Sequence, residues 1–403
     1  MDSTELLNIF NCIGTYGETD NGMYRLAYSD ADNDTHDYLF NLLVEKGYDV
    51  RTDAMGNIFA EIPSSEPNAK IVATGSHLDT VHCGGKYDGT VGVIAGLFAL
   101  EKLKTCKLKH TVQLIIFRAE ESSRFGFSCM ASKALTGNAD IKKWLENTDS
   151  NGMNFFDASG TSPRDIENAK LDNEHYKSFI EVHIEQGNIL ENYGLHVGIV
   201  SAIAAPTRFC ITVKGHADHS GATPMDLRSD ALCAAARIIN DINHEAYIRK
   251  DEGTVGTVGK LDVYPNSMNV VPGEVEFTVD IRGIDKDSVD AVIKHMYYSI
   301  EEATQIHHVK FNVVELCNDL PVNLDRSVFQ TLVSAAEDEK IPYHEMNSGA
   351  GHDAMYMSKI IPTSMIFIPS KGGISHHPEE YSEFDDVILA GQILANAMEK
   401  MAS

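Results

Sequence analysis

Histidines and carboxylates that follow short apolar runs are the residues of this chain best able to do chemistry. The stretch GSHLDTV, residues 75–81, places His77 and Asp79 just past the apolar run 71–74. Asp88 comes eleven residues after His77, in the glycine-rich stretch GGKYDG, ahead of a long apolar segment. Three later segments add the adjacent pair Glu120-Glu121, then His183 and His376. His77, Asp88, Glu121, His183 and His376 make a mixed nitrogen and oxygen donor set. Such a set suits zinc, manganese, cobalt or nickel and does not suit a thiolate-bound metal. Five donors with one shared carboxylate suit two divalent ions a few ångströms apart, with a water between them made acidic.

A lone loop histidine is usually a satisfied polar residue. This constellation means more because each member follows an apolar run. In extended chain, adjacent side chains point to opposite sides, so one of Glu120 and Glu121 can bind metal while the other faces the substrate. The free one is then a general base that takes a proton from water and returns it to the leaving nitrogen. Asp79 is placed to accept the free ring N–H of His77, which would orient that ligand.

The elements that must hold these residues alternate strand and helix. Short apolar strands are expected at 71–75, 112–117, 179–183 and 363–368, with looser strands within 50–62. Helices are expected at 4–12, 30–46, 89–103, 328–338 and 387–401. Near residue 207 the pattern changes to strand 208–214, helix 229–243, strands 254–263 and 274–281, helix 287–304 and strand 309–314. That order, βαββαβ, is the ferredoxin-like unit. The expected architecture is therefore α/β: a catalytic domain from 1–207 and 322–403, interrupted by an inserted domain at 208–321. The carboxyl edge of an α/β sheet is where such a fold presents ligands.

The length of 403 residues allows two domains with a core each, and 43% apolar with 23% charged residues is ordinary globular composition. A formal net charge of −26 and a pI of about 4.9 argue against nucleic acid or an anionic membrane as the main partner, and any anionic substrate must be gripped by local cations. The seven scattered cysteines form no CxxC pair, the first ten residues lack a signal pattern, and the longest apolar run, 91–100, is too short for a bilayer. A cytoplasmic protein is expected.

The motifs GSHLDTV, GGKYDG, RAEESSRFG, EVHIEQG, GHADHSGATPM, NSMNVVPG, FTVDIR, SGAGHDA and GISHHPEEY run almost end to end. Through them the chain resembles the metal-dependent amidohydrolases of the M20 peptidase superfamily. It is most similar to the branch of N-carbamoyl-L-amino-acid hydrolase, allantoate amidohydrolase and β-ureidopropionase. The resemblance implies a binuclear aminopeptidase-like α/β domain with a ferredoxin-like lid and dimerisation domain. It implies two divalent ions, Zn or Mn with Co or Ni as alternatives, bridged by Asp88 and held by His77, Glu121, His183 and His376. Glu120 becomes the catalytic base. Arg282 would clamp the substrate carboxylate by a two-pronged hydrogen bond with Asn269 beside it, and His219 would stabilise the developing oxyanion, reaching into a partner subunit. Gln186, Gly351 and His352 are near-site candidates. Without the resemblance, Arg282 reads as a surface ion-pair residue and His219 as a loop histidine. Gly84, Gly85 and Gly89 read as turn residues that let backbone approach the metals. Asp218 would raise the pKa of His219 if its carboxylate lies close.

The implied reaction is hydrolysis of the ureido C–N bond of an N-carbamoyl-L-amino acid by a homodimer, giving amino acid, carbon dioxide and ammonia. Allantoate or N-carbamoyl-β-alanine shares the ureido group and carboxylate, and an amide-cleaving M20 peptidase is the next reading. A non-catalytic binding protein on this scaffold is the rival from another class, disfavoured by the full ligand set with Glu120.

Overall fold

The computed structural model describes residues 1–403. The chain divides into two compact units, one of Met1–Ser201, Leu324–Met346 and His352–Ser403, the other of Ala202–Asn323 and Asn347–Gly351. The second is thus interposed in the sequence of the first.

The first unit is built on a mixed sheet. Its path runs Gly198–Ile203, Thr363–Ile368, Tyr176–Ile184, Ile71–His77, Thr111–Phe117, Ile58–Ile62, Asp49–Thr52. The four central strands, Thr363–Ile368 through Thr111–Phe117, are mutually parallel, and the flanking pairs are antiparallel. Parallel strands covered on both faces read as continuous apolar runs, and these do: Thr363–Ile368 is buried at every position, as are Val112 to Phe117. The helix Thr90–Leu103 is buried along nearly its whole length and shares one core with helices Ser3–Ile13, Arg326–Asp338 and Phe384–Ala402.

The second unit reads strand Ala205–Lys214, helix Ala231–Ile248, strands Val255–Tyr264 and Glu274–Gly283, helix Lys286–His307 and strand Lys310–Asn318. In the sheet the order is Val255–Tyr264, Glu274–Gly283, Ala205–Lys214, Lys310–Asn318, all antiparallel. Strand Glu274–Gly283 alternates strictly: Val275, Phe277, Val279 and Ile281 are buried with the two helices, and the polar residues between them face the other way. No helix of the chain is long and apolar enough to cross a membrane.

Candidate metal centre

Four parallel strands end on one edge, and each delivers a donor there. His77 is the last residue of Ile71–His77, and His183 stands one before the end of Tyr176–Ile184. Glu120 and Glu121 follow Thr111–Phe117, and His376 follows Thr363–Ile368. Asp88 arrives from the turn before helix Thr90–Leu103.

The geometry sorts these donors around Asp88. Its Oδ1 lies 3.1 Å from His183 Nε2 and 3.4 Å from His77 Nε2; its Oδ2 lies 3.4 Å from His376 Nε2. His376 Nε2 is in turn 3.3 Å from Glu121 Oε1. Two three-donor groups result, His77-Asp88-His183 and Asp88-Glu121-His376, each with ligand atoms within 4.8 Å of one another. A third group, Glu181-His183-His352, is less available, because Glu181 already accepts Ser76 Oγ at 3.0 Å and the Ala354 N–H at 2.8 Å. The ring of His376 is half-exposed while the others are buried, so the site opens beside His376.

The imidazoles and carboxylates of the site shift one another's protonation. Burial would lower the pKa of His77, yet Asp79, Asp88 and Glu120 hold it well above the ordinary value. Hydrogen bonds to Asp88 and Glu121 push His376 up to about 11. Burial pushes Glu120 well up despite His77, with Glu121 and Asp353 adding to the rise, and Glu121 is raised by burial as well. Burial opposes the ionised form of Asp88 too, but His183, His376 and His77 outweigh it and hold the pKa well below the carboxylate range. Divalent ions held here would compete with protons for the same imidazole and carboxylate atoms. The residues fit a pair of ions: only nitrogen and oxygen donors, all but His376 buried, with one two-oxygen carboxylate between the groups.

Glu120 belongs to neither group. Its Oε2 is 3.9 Å from His77 Nε2, and its Oε1 accepts the thiol of buried Cys129 at 3.0 Å. Asp79 departs from the expectation. The partner of His77 Nδ1 is the backbone carbonyl of Asp79 at 3.0 Å, with the carboxylate 3.6 Å away. That carboxylate instead accepts the N–H groups of Glu120 and Glu121, at 3.1 and 2.9 Å. The bend after Thr111–Phe117, with Ala119 at φ +53°, leaves both amides unpaired in the sheet, and Asp79 meets them.

Gln186 Nε2 donates to Asp88 Oδ2 at 2.7 Å. His352 is buried with its ring centroid 4.4 Å from that of His183, and burial and His183 hold its pKa well below the ordinary value. His377 is turned away, its Nδ1 accepting the N–H of Glu379. The glycines make room for side chains rather than for metals: a Cβ at Gly85 would meet Glu380 at 2.2 Å, and one at Gly89, whose φ is +65°, would meet the His77 ring at 2.6 Å.

Arg282, Asn269, His219 and Gly351 belong to the second unit. There His219 pairs with Val270 in a short two-residue ladder, and the carbonyl of Asn269 accepts the Ser220 N–H at 3.0 Å, so His219 and Asn269 are neighbours. His219 Nδ1 accepts the N–H groups of Gly221 and Ala222, which leaves the ring proton of a neutral imidazole on Nε2. Asp218 turns from His219 and pairs with His216 at 3.0 Å. The inner edge of Arg282 is occupied: Nε and Nη2 donate to Asp280 at 3.1 and 3.0 Å, and Nη1 donates to the Gly349 carbonyl at 3.0 Å. A two-pronged grip through that inner edge is therefore closed, and each η nitrogen keeps one further N–H.

Sequence reasoning missed Glu380. Its Oε1 accepts the N–H groups of Tyr87 and Asp88, both at 3.0 Å, and its Oε2 accepts Ser375 Oγ at 3.2 Å and the His376 N–H at 3.3 Å. Burial, then Asp88, pushes its pKa up to about 7. The signal was present in PEEY, four residues past His376.

A parallel-sheet edge carrying two donor groups on a common carboxylate, with a further carboxylate alongside, defines an α/β metallohydrolase. The sequence matches Peptidase family M20/M25/M40 over residues 73–400, and the chain belongs to that family. It is an amidohydrolase of this family. It is 36% identical to the ureidoglycolate hydrolase of Oryza sativa subsp. japonica, over 94% of this chain and 80% of that one. It is 35% identical to the N-carbamoyl-L-amino acid amidohydrolase of Geobacillus stearothermophilus, over 94% of each. The crystal structure of a hydantoinase/carbamoylase family amidase from Burkholderia multivorans superposes with a TM-score of 0.92 at 31% identity, covering 100% of this chain and 98% of that one.

Proposed function

We propose that the chain hydrolyses the ureido C–N bond of an N-carbamoyl-L-amino acid, releasing the amino acid, carbon dioxide and ammonia. The observation that carries this reading is Asp88, which turns one oxygen to His77 and His183 and the other to His376. Two divalent ions of the Zn or Mn class, held by His77, Asp88, Glu121, His183 and His376, would acidify water and polarise the ureido carbonyl. Glu120 Oε2, the oxygen not engaged by Cys129, takes the proton from the attacking water and delivers it to the leaving nitrogen. Arg282 offers its remaining η N–H groups to the substrate carboxylate with Asn269 close to His219, and His219 Nε2–H is the donor for the developing oxyanion. Gln186, Gly351 and His352 would complete the walls around the substrate. The second unit, βαββαβ in order, serves as a ferredoxin-like lid through which a homodimer forms, and the seven free cysteines of the whole chain suit the protein to the cytoplasm.

Ureidoglycolate is the second reading, supported by the name of the rice relative. Allantoate and N-carbamoyl-β-alanine share the same two groups. A panel of these compounds with dipeptides, assayed for ammonia release after chelation and again after adding Mn or Zn, tests the proposal. Metal-dependent turnover of carbamoyl-L-amino acids above the others supports it; turnover of dipeptides alone sinks it. Glu120→Gln should keep its metal and lose about 100- to 10,000-fold in kcat. Sedimentation of the active species tests the dimer.

A further inference from the structure

The open face of the four-stranded sheet carries two guanidiniums on one carboxylate. Register sets Asp280 directly opposite Arg208, and Arg282 follows two residues later on the same face. Asp280 Oδ1 accepts Nε of Arg282, while Oδ2 accepts both Nη2 of Arg282, at 3.0 Å, and Nε of Arg208, at 3.1 Å. The η nitrogens of Arg208 make no hydrogen bond. The trio borders a cavity of about 550 Å³ that also touches Thr257, Thr278 and Leu316.

Burial works against the charge on Asp280, but Arg282 and then Arg208 outweigh it and lower its pKa, so the carboxylate stays ionised. Asp280 and Arg282 alone would be a self-cancelled pair, a poor attractor for an anion on a chain of net charge −26. With Arg208 the cluster carries one net positive charge. We propose that Arg208 is a positioning residue of the substrate grip. It balances Asp280, so that Arg282, whose inner edge Asp280 fixes, presents an uncancelled charge to the substrate carboxylate. The inference rests on the reading of Arg282 as the carboxylate-binding residue.

The test uses the metal-loaded full chain with N-carbamoyl-L-amino acids and their carboxamides, which lack the negative charge. Arg208→Gln should raise KM for the carboxylate about tenfold, leave kcat within about twofold and leave the carboxamide unaffected. Arg208→Lys, which keeps the charge, should stay near the parent and covers the case in which the glutamine variant folds poorly. Two outcomes overturn the inference: an unchanged KM in Arg208→Gln while Arg282→Met raises it, or a lysine variant as poor as glutamine. An unchanged KM in Arg282→Met would instead sink the underlying reading of Arg282.

Discussion

Asp79 accepts the backbone N–H of Glu120 at 3.1 Å, and through its second oxygen that of Glu121 at 2.9 Å. One buried carboxylate thereby fixes the main chain under both the proposed base and a proposed ligand, while the backbone carbonyl of Asp79 meets the His77 ring. Asp79→Asn keeps one acceptor and turns an N–H donor toward the other amide. Metal affinity should fall about 10- to 100-fold, and kcat with it, because such supporting contacts govern ligand geometry. Chelator competition alongside steady-state kinetics checks this; unchanged affinity and rate would refute the role.

Glu380 ties the turn of Asp88 to the turn of His376 by four hydrogen bonds. Glu380→Gln replaces an acceptor oxygen by a donor and leaves buried N–H groups unpaired, at about 1–3 kcal/mol each. The expected result is a lower urea midpoint together with weaker metal retention on dialysis. A variant with normal stability and full metal content would show that the knot is dispensable.

Gly89→Ala tests the closest approach in the site. The position has φ +65°, and the added methyl would lie 2.6 Å from the imidazole of His77. Backbone strain alone costs about 1–3 kcal/mol, and the ring must also shift. Elemental analysis should find the variant depleted in metal while its far-UV circular dichroism stays close to the parent's.

Asp32 is buried, with Arg118 Nη2 at 2.9 Å and His36 Nδ1 at 3.2 Å. Burial opposes its charge, but Arg118 and then His36 outweigh it and hold its pKa below the usual carboxylate range. A depressed folded-state pKa contributes stability that is complete above the unfolded pKa, near 4, and is lost as pH falls through the folded value. Asp32→Asn, which strands Arg118, should cost about 3–5 kcal/mol at pH 7, with the gap to the parent narrowing below about pH 4. Urea titrations at several pH values in chelator would show it; a gap that widens on acidification would refute the assignment.

The donors were legible because parallel strands are apolar throughout and change abruptly to polar at their ends, as Phe117 gives way to Arg118 and Glu120. The alternation in Glu274–Gly283 and the long helices around it were equally plain in the sequence. What escaped was short or depended on partners far away in sequence. Helices Met130–Leu135, Ile141–Glu146, Phe155–Ser159 and Pro163–Asn168 have five or six residues each, too few to show a helical period. Asp79 and Glu380 reach their partners across 41 and 293 residues, and no local pattern announces such pairs.

The donors span residues 77 to 376 of a chain of 403, and the last of them follows strand Thr363–Ile368, which must slot beside Tyr176–Ile184. A polypeptide emerging from the ribosome therefore carries His77, Asp88, Glu121 and His183 long before the fifth donor exists. With all five holding the ions as proposed, catalytic competence would come only with the nearly finished molecule, and truncated products of interrupted synthesis would be inert.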